Sequence, residues 1–231
     1  MDSSKNKRLF SLFRRDMGIS SDKFDGYRKM VEDRYIEPTI IEERHMNATS
    51  ISIYSRLFME RILFLGSDID ADVANIMNSQ ILFLEMENPD KNITMYINSP
   101  GGSVYDGLSI YDLMRYVSCP VTTTCIGMAA SMAAVILSSG DKGKRLLLPN
   151  SQVMIHQPMG GTGRHSQASD IEIANREIQK CKKRLYDILA KNTGKTYEEI
   201  EEACDRDRWL DADEAIAFGL VDRKIESKKK E

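Results

Sequence analysis

From Ile62 onward, short β-branched apolar runs take turns with longer runs of helical period, and this alternation is what most restricts how the chain can fold. Ile62-Leu63-Phe64-Leu65-Gly66 reads as a strand. Ala71 to Glu87 carries apolar residues at helical spacing, at Val73, Ile76, Ile81, Leu82 and Leu84. Ile93 to Ile97 is a second strand, ending in the turn Asn98-Ser99-Pro100-Gly101-Gly102, and a helix follows through Tyr116. Val121 to Ile126 is strand-like, and Gly127 then precedes a helix expected from about Ala129 to Ser138. Arg145 to Leu148 and Gln152 to Ile155 give two more strands. A helix between two strands supplies the crossover that parallel pairing needs. The pattern therefore predicts an α/β fold with mainly parallel strands.

Past residue 168 the signals are helical. Ser169 followed three residues later by Glu172 predicts a capping box. An apolar stripe follows at Ile171, Ala174, Ile178, Cys181, Leu185 and Ile188, and Gly194 marks the stop. Thr196 and Glu199 open another helix by the same capping device, and Asp211 to Phe218 forms a third that Gly219 ends. Residues 1–34 mix basic and acidic side chains around a short apolar patch and read as a removable N-terminal extension. Their acids, Asp2, Asp16, Asp22, Asp25, Glu32 and Asp33, argue against a mitochondrial transit peptide. The segment from Leu9 to Phe13 is too short for a signal-peptide core. The domain expected is 35–225, and 226–231 is a polar tail.

The totals remove several classes of function. A net charge of -3 gives no pull toward nucleic acid or anionic lipid, so neither is expected as a partner. The longest apolar run, Ile126 to Leu137, falls short of the ~20 residues that span a bilayer, so no membrane insertion is expected. The cysteines, Cys119, Cys125, Cys181 and Cys204, form no C-x-x-C pair, and the three histidines are not at metal-ligand spacing. Free buried thiols in a reducing, cytoplasmic setting are the reading, with no metal site.

Three segments carry chemistry. In Gly127-Met128-Ala129-Ala130-Ser131-Met132, a strand leads into an Ala-rich helix, and Ser131 is expected in its first turn. Unpaired N–H groups and partial positive charge there favour a nucleophile, and the N–H of Met132 can hold an oxyanion. No G-x-S-x-G elbow is present, so on this segment alone a small residue that lets a helix pack closely is the favoured explanation of Ser131. Gly101-Gly102 at a strand-to-helix junction offers a second backbone donor, from Gly102, or a plain turn. His156 ends the apolar strand Val153-Met154-Ile155 before a Gly-rich stretch, where it can enter a cleft as a general base. A third group should orient the imidazole, and spacing leaves Asp170, Asp205, Asp207 and Asp211 all open.

Taken together, the segment from Gly127 to Ala134, the run from Lys142 to Gly161, and Asp205-Arg206-Asp207-Arg208-Trp209-Leu210 resemble the proteolytic-subunit family of the Clp protease. Tyr96 to Gly102 and Ile53 to Leu57 are also similar to that family, and the likeness runs from about Pro38 to Asp222. The resemblance implies a spiral of β-β-α units, shared with the crotonase fold, with a protruding strand-helix handle. It implies a serine endopeptidase whose triad is Ser131, His156 and Asp207, with the N–H groups of Gly102 and Met132 as the oxyanion hole. It also implies two stacked seven-membered rings enclosing the active sites, with Arg206 pairing with an acid across the ring–ring contact. An AAA+ unfoldase would use ATP and feed in unfolded polypeptide. The chain has no G-x-x-x-x-G-K-[ST] loop of its own, as suits a separate ATPase. The triad needs no cofactor. Two other readings follow from the same residues: a crotonase-type acyl-CoA enzyme using the paired N–H groups on a thioester oxyanion, and a non-catalytic subunit of a mixed ring.

Overall fold

The computed structural model describes residues 39–44, 47–163 and 166–226, so the proposed extension and most of the polar tail lie outside it. The chain divides into two compact units, 1–56 and 57–231. In the first, β1 (Thr39–Arg44) and β2 (Asn47–Ser52) pair as an antiparallel hairpin. Helix α1 (Ile53–Met59) spans the division in sequence.

The second unit is the α/β body that the alternation predicts. Its parallel strands are β3 (Ile62–Leu65), β4 (Ile93–Ser99), β5 (Val121–Ala130), β6 (Arg145–Leu147) and β9 (Arg223–Lys224), hydrogen-bonded in that order. Strand β7 (Gln152–Ile155) pairs with β5 in parallel, and β8 (Arg208–Leu210) adds antiparallel to β7. Helices α2 (Ala71–Glu87) and α3 (Val104–Tyr116) are the crossovers between β3, β4 and β5. Helix α4 (Met132–Ser138), buried throughout, follows β5. The 26-residue α5 (Ala168–Thr193), α6 (Tyr197–Ala203) and α7 (Ala212–Phe218) complete the body.

Strand β5 is long because it serves two partners in turn. Thr123 to Cys125 pair with β6, and Met128 to Ala130 pair with β7. Between them the ladder to β4 jumps from Ile97–Cys125 to Ser99–Ala129, so β5 bulges at residues 126–128. Two side chains absorb the bulge's loose amides: Ser151 Oγ accepts from Gly127 N at 3.1 Å, and Asn98 Oδ1 accepts from Met128 N at 3.2 Å. The strand thus continues past Gly127 to Ala130, and the helix starts three residues later than the sequence suggests.

Two other expectations are corrected. Helix α5 begins at Ala168 with Gln167 as N-cap and no side-chain cap, so Ser169 and Glu172 both lie within the helix and form no capping box. In α2 the buried face is Ala74, Met77, Ile81 and Leu84, while Ile76 and Leu82 of the expected stripe face outward with Phe83 and Met86. Elsewhere the capping chemistry holds. Thr196 with Glu199 and Asp211 with Glu214 form reciprocal boxes, and Gly194 and Gly219 end their helices in the left-handed conformation. Only the C-terminal half of the α5 stripe is buried, from Cys181 to Leu189, whereas Ile171 and Ile173 are exposed.

Two buried arginines tie elements together. Arg145 in β6 bonds the Asp222 carboxylate and the carbonyls of Asn192 and Gly219, joining the ends of α5 and α7 to the sheet. Burial alone would raise the Asp222 carboxyl, but the Arg145 side-chain and backbone donors outweigh it and hold its pKa below the ordinary value. Arg61 sits at the far end of the body and closes the C-terminus of α2.

Candidate active site

The site is assembled where β5 and β7 end and the antiparallel β8 begins. Met154 accepts from the amide of Ser131 at 2.8 Å, fixing the end of β5 to β7. Ser131 is the N-cap of α4 at φ 55° and ψ -123°, a sharp strand-to-helix turn that few non-glycine residues adopt. Such a conformation costs on the order of 1–3 kcal/mol and survives only where neighbours enforce it. Its effect is to lift the Ser131 side chain clear of both the strand and the helix. This is an elbow geometry without the G-x-S-x-G pattern, because Ala129 and Ala133 lie where that pattern has its two glycines. Ser131 is therefore the cap itself, not a residue of the first turn.

His156 follows the last residue of β7, and its ring lies between two partners. Nε2 is 2.8 Å from Ser131 Oγ, and Nδ1 is 2.9 Å from Asp207 Oδ1. The imidazole side chain is only 9 % exposed while Asp207 is 63 % exposed. Of the four aspartates left open by spacing, the structure brings Asp207 to the imidazole. It places Asp205 two residues away on the same loop, Asp211 at the cap of α7, and Asp170 in the first turn of α5.

The second backbone donor is held by the turn after β4. Ser99, fully buried, donates to Ser67 O at 2.6 Å and accepts from Gly101 N at 3.1 Å. Ile69 N donates to Gly101 O and Ser103 N donates to Ile69 O, both at 2.8 Å. The amide of Gly102 falls between these bonds. Among the described residues neither it nor the amide of Met132 has an acceptor. Both glycines are required by close approach. A Cβ on Gly102 would enter the van der Waals shell of Ile69 O, and one on Gly101 would lie 2.9 Å from Met132 N. Their positive φ values, 92° and 151°, add to the cost of any side chain. The cleft beside Ser131 and His156 is lined by Gly102, Val104, Val135, Pro158, Met159 and Leu189, an apolar wall with the polar groups at one end.

The four cysteines are buried free thiols, as expected from their spacing. Burial pushes the Cys125 thiol up to about 11 and Cys204 up to about 12, so neither is a thiolate near neutral pH. Arg206 is exposed, with Nη1 2.6 Å from the carbonyl of Asp205 and 3.2 Å from its carboxylate. Sequence reasoning missed Asn98, Ser151 and Gln157, which hold the bulge and the Asp207 loop. None carries a motif of its own.

A hydroxyl, an imidazole and a carboxylate in one hydrogen-bonded line, with unpaired amides beside the hydroxyl, is the arrangement of serine hydrolases. The model of the Clp protease family matches residues 43–228. The chain is 50 % identical over 216 residues to the ATP-dependent Clp protease proteolytic subunit of Porphyromonas gingivalis, covering 94 % of this chain and 96 % of that one. It is 54 % identical over 188 residues to the protein of the same name from Bacteroides fragilis, covering 81 % of this chain and 90 % of that one. The subunit from Bacteroides thetaiotaomicron is 53 % identical over 188 residues, covering 81 % of this chain and 84 % of that one. The chain belongs to the Clp protease family and is a serine peptidase.

Proposed function

We propose that this chain is the proteolytic subunit of an ATP-dependent Clp-type protease, with Ser131 as nucleophile, His156 as general base and Asp207 as the carboxylate that orients it. The observation that carries the reading is the continuous line from Ser131 Oγ through His156 to Asp207, at 2.8 and 2.9 Å. Ser131 Oγ attacks the scissile carbonyl as its proton passes to His156 Nε2. Asp207 Oδ1 accepts from Nδ1–H, selecting the tautomer that leaves Nε2 free to take that proton, and it stabilises the imidazolium that results. The oxyanion falls between the amides of Gly102 and Met132, which are already fixed and need no reorganisation. Collapse breaks the C–N bond, and His156 returns its proton to the leaving amine. Water then enters and attacks the acyl carbon as it loses a proton to His156; the C–Oγ bond breaks, the acid product leaves, and His156 returns that proton to Ser131 Oγ. The apolar cleft suits unfolded polypeptide, whose hydrophobic side chains are accessible.

The assembly we propose is two stacked heptameric rings, fed by an AAA+ Clp-type unfoldase that spends the ATP, in the cytoplasm. No helix among the described residues is long and apolar enough to cross a membrane. The outward apolar residues of α2 (Ile76, Leu82, Phe83, Met86) and of α5 (Ile171, Ile173) favour association, since a contiguous apolar face is costly to leave in water. Residues 1–34 act as a propeptide removed near Arg34–Tyr35 inside the assembled chamber. N-terminal sequencing of wild type and Ser131→Ala should find trimming only in the first. Identical trimming in both would assign it to another protease, and a fully active untrimmed enzyme would remove the propeptide role.

Arg206 is the proposed ring–ring contact, directly before Asp207. Exposed ion pairs are worth only about 0–1 kcal/mol each, but the ring repeats them. Arg206→Ala should shift native mass from stacked toward single rings and lower peptidase activity in step. A variant that stays stacked and fully active leaves Arg206 a surface charge. The wild-type measurement tests the whole reading: a purified chain of double-ring mass that cleaves unfolded peptides supports it, and an assembled chain with no peptidase activity refutes it.

A further inference from the structure

The Asp207 carboxylate is poorly held for a group that must fix an imidazole. Its side chain is 63 % exposed, and among the described residues its hydrogen-bond partner is His156. A carboxylate with one of its several lone-pair sites used has no fixed orientation of its own. Its placement must come from the backbone of the loop 204–207, between α6 and β8. One end of that loop is anchored where Arg208 pairs with Ile155. The other end is the C-cap of α6, where Cys204 N donates to Ile200 O at 2.9 Å and Asp205 N to Glu202 O at 3.4 Å, and Gln157 ties the loop across to the end of β7.

Gln157 holds the loop twice. Its amide donates to Cys204 O at 2.7 Å, and its side-chain Nε2 donates to Asp205 O at 2.7 Å, with Asp205 Oδ1 3.5 Å away. Pro158 restricts the backbone of Gln157 to extended geometry, so the clamp is stiff on the β7 side. Because Gln157 is the chain neighbour of His156, it joins the loop that carries the carboxylate to the strand end that carries the base on the side away from the Ile155–Arg208 pairing. Arg206 also donates to Asp205 O, at 2.6 Å, but its side chain is 81 % exposed. In the proposed assembly Arg206 is drawn away to a partner acid, and Gln157 Nε2 then remains as the internal donor to that carbonyl.

We infer that Gln157 is a positioning residue for the reaction, setting the distance between Asp207 and His156 without touching substrate. The inference rests on the triad reading given above and deepens it. A displacement near 1 Å in a catalytic constellation costs up to about 10²-fold. Gln157→Met keeps the length of the side chain and removes the Nε2 donor, while the backbone amide still bonds Cys204 O. It should lower kcat on the order of 10–100-fold, with KM unchanged, because substrate contacts are intact.

The deciding experiment is a double-mutant cycle in the full-length chain, with kcat and KM measured on a small peptide and thermal midpoint and native mass recorded for each variant. Gln157→Met should cost its full factor in wild type and less than about 2-fold in an Asp207→Ala background, because two changes acting through one group are not additive. The same factor in both backgrounds would make Gln157 an ordinary stabiliser of the loop and overturn the inference. So would full activity of Gln157→Met, or a loss that appears in KM. If Asp207→Ala itself is fully active, the triad reading fails, and the inference fails with it for a distinguishable reason. Gln157→Ala, measured in parallel, separates lost donors from lost packing: it should match Gln157→Met in kcat, and a loss confined to the alanine variant would overturn the hydrogen-bond role.

Discussion

Ser131→Ala lowers kcat for peptide cleavage by about 10³-fold or more, with thermal stability unchanged within roughly 0.5 kcal/mol. Two features of the site make the effect this one-sided. Although Ser131 is the N-cap of α4, its side chain makes no capping bond, so removing the hydroxyl costs the helix nothing. The bond it does make is to His156 Nε2, at 2.8 Å, and that imidazole keeps its partner Asp207 when the hydroxyl is gone. The backbone amide that pins the turn, Ser131 N to Met154 O, is also retained by alanine. Steady-state kinetics beside a thermal melt checks this. A loss of stability comparable to the loss of activity would mean that the hydroxyl holds the elbow together and not only the chemistry.

Arg61→Ala destabilises the fold by roughly 3–5 kcal/mol without altering the chemistry at the site. Arg61 is 7 % exposed, and its guanidinium donates to Leu84 O, Asn88 O and Lys91 O at 3.0 Å and to Asn92 O at 3.2 Å. Leu84 and Asn88 lie at the C-terminus of α2, where the partial charge is negative and the Leu84 carbonyl has the cap amide of Asn88 as its backbone partner. The side chain therefore does for α2 what a glycine cap does for α5 and α7. It also lies beside Cys119 Sγ, at 3.2 Å. Its loss strips a donor from four carbonyls at once: Leu84 O keeps Asn88 N and Asn88 O keeps Lys91 N, while Lys91 O and Asn92 O lose their guanidinium donor, each at about 1–3 kcal/mol before relaxation and water entry reduce the sum. Arg61→Lys recovers little, since an ammonium lacks the planar fork that reaches acceptors on both sides. Chemical denaturation of the purified variants measures both effects. A cost below 1 kcal/mol for Arg61→Ala would mean that water replaces the guanidinium freely.

The sequence was most legible where the physics is local. Reciprocal capping by Thr196 with Glu199, and the stops at Gly194 and Gly219, depend on residues within one turn of each other. The alternation that predicts parallel strands is likewise a property of each segment taken alone. What failed depended on the rest of the molecule. Ser169 and Glu172 satisfy the capping pattern, yet the cap of α5 lies two residues earlier, at Gln167. Gly127 looks like the end of a strand, but β5 runs on because β7 is waiting to pair with Met128 to Ala130. Ile76 and Leu82 have the period of a buried face, but Ala74 and Met77 take the core side.

The site was legible unevenly for the same reason. His156 at the end of an apolar strand is a local signal, while the choice of Asp207 over Asp170, Asp205 and Asp211 needed the resemblance, since 51 residues separate it from the imidazole it meets. Asn98, Ser151 and Gln157 gave no signal at all. Their work is to satisfy amides and carbonyls contributed by other strands and loops, and no spacing within the chain announces that.

The central claim is that Ser131 is a nucleophile activated by His156. A phosphonofluoridate, which captures an activated serine and spares ordinary ones, tests it most directly when the adduct is mapped by peptide mass spectrometry on the full-length chain. The account predicts one adduct per chain, on Ser131, formed in step with the loss of peptidase activity and suppressed by at least about 10²-fold in rate in His156→Ala. Peptide cleavage that persists after every chain carries the label, or a label that settles on another residue while Ser131 stays unmodified, would contradict it.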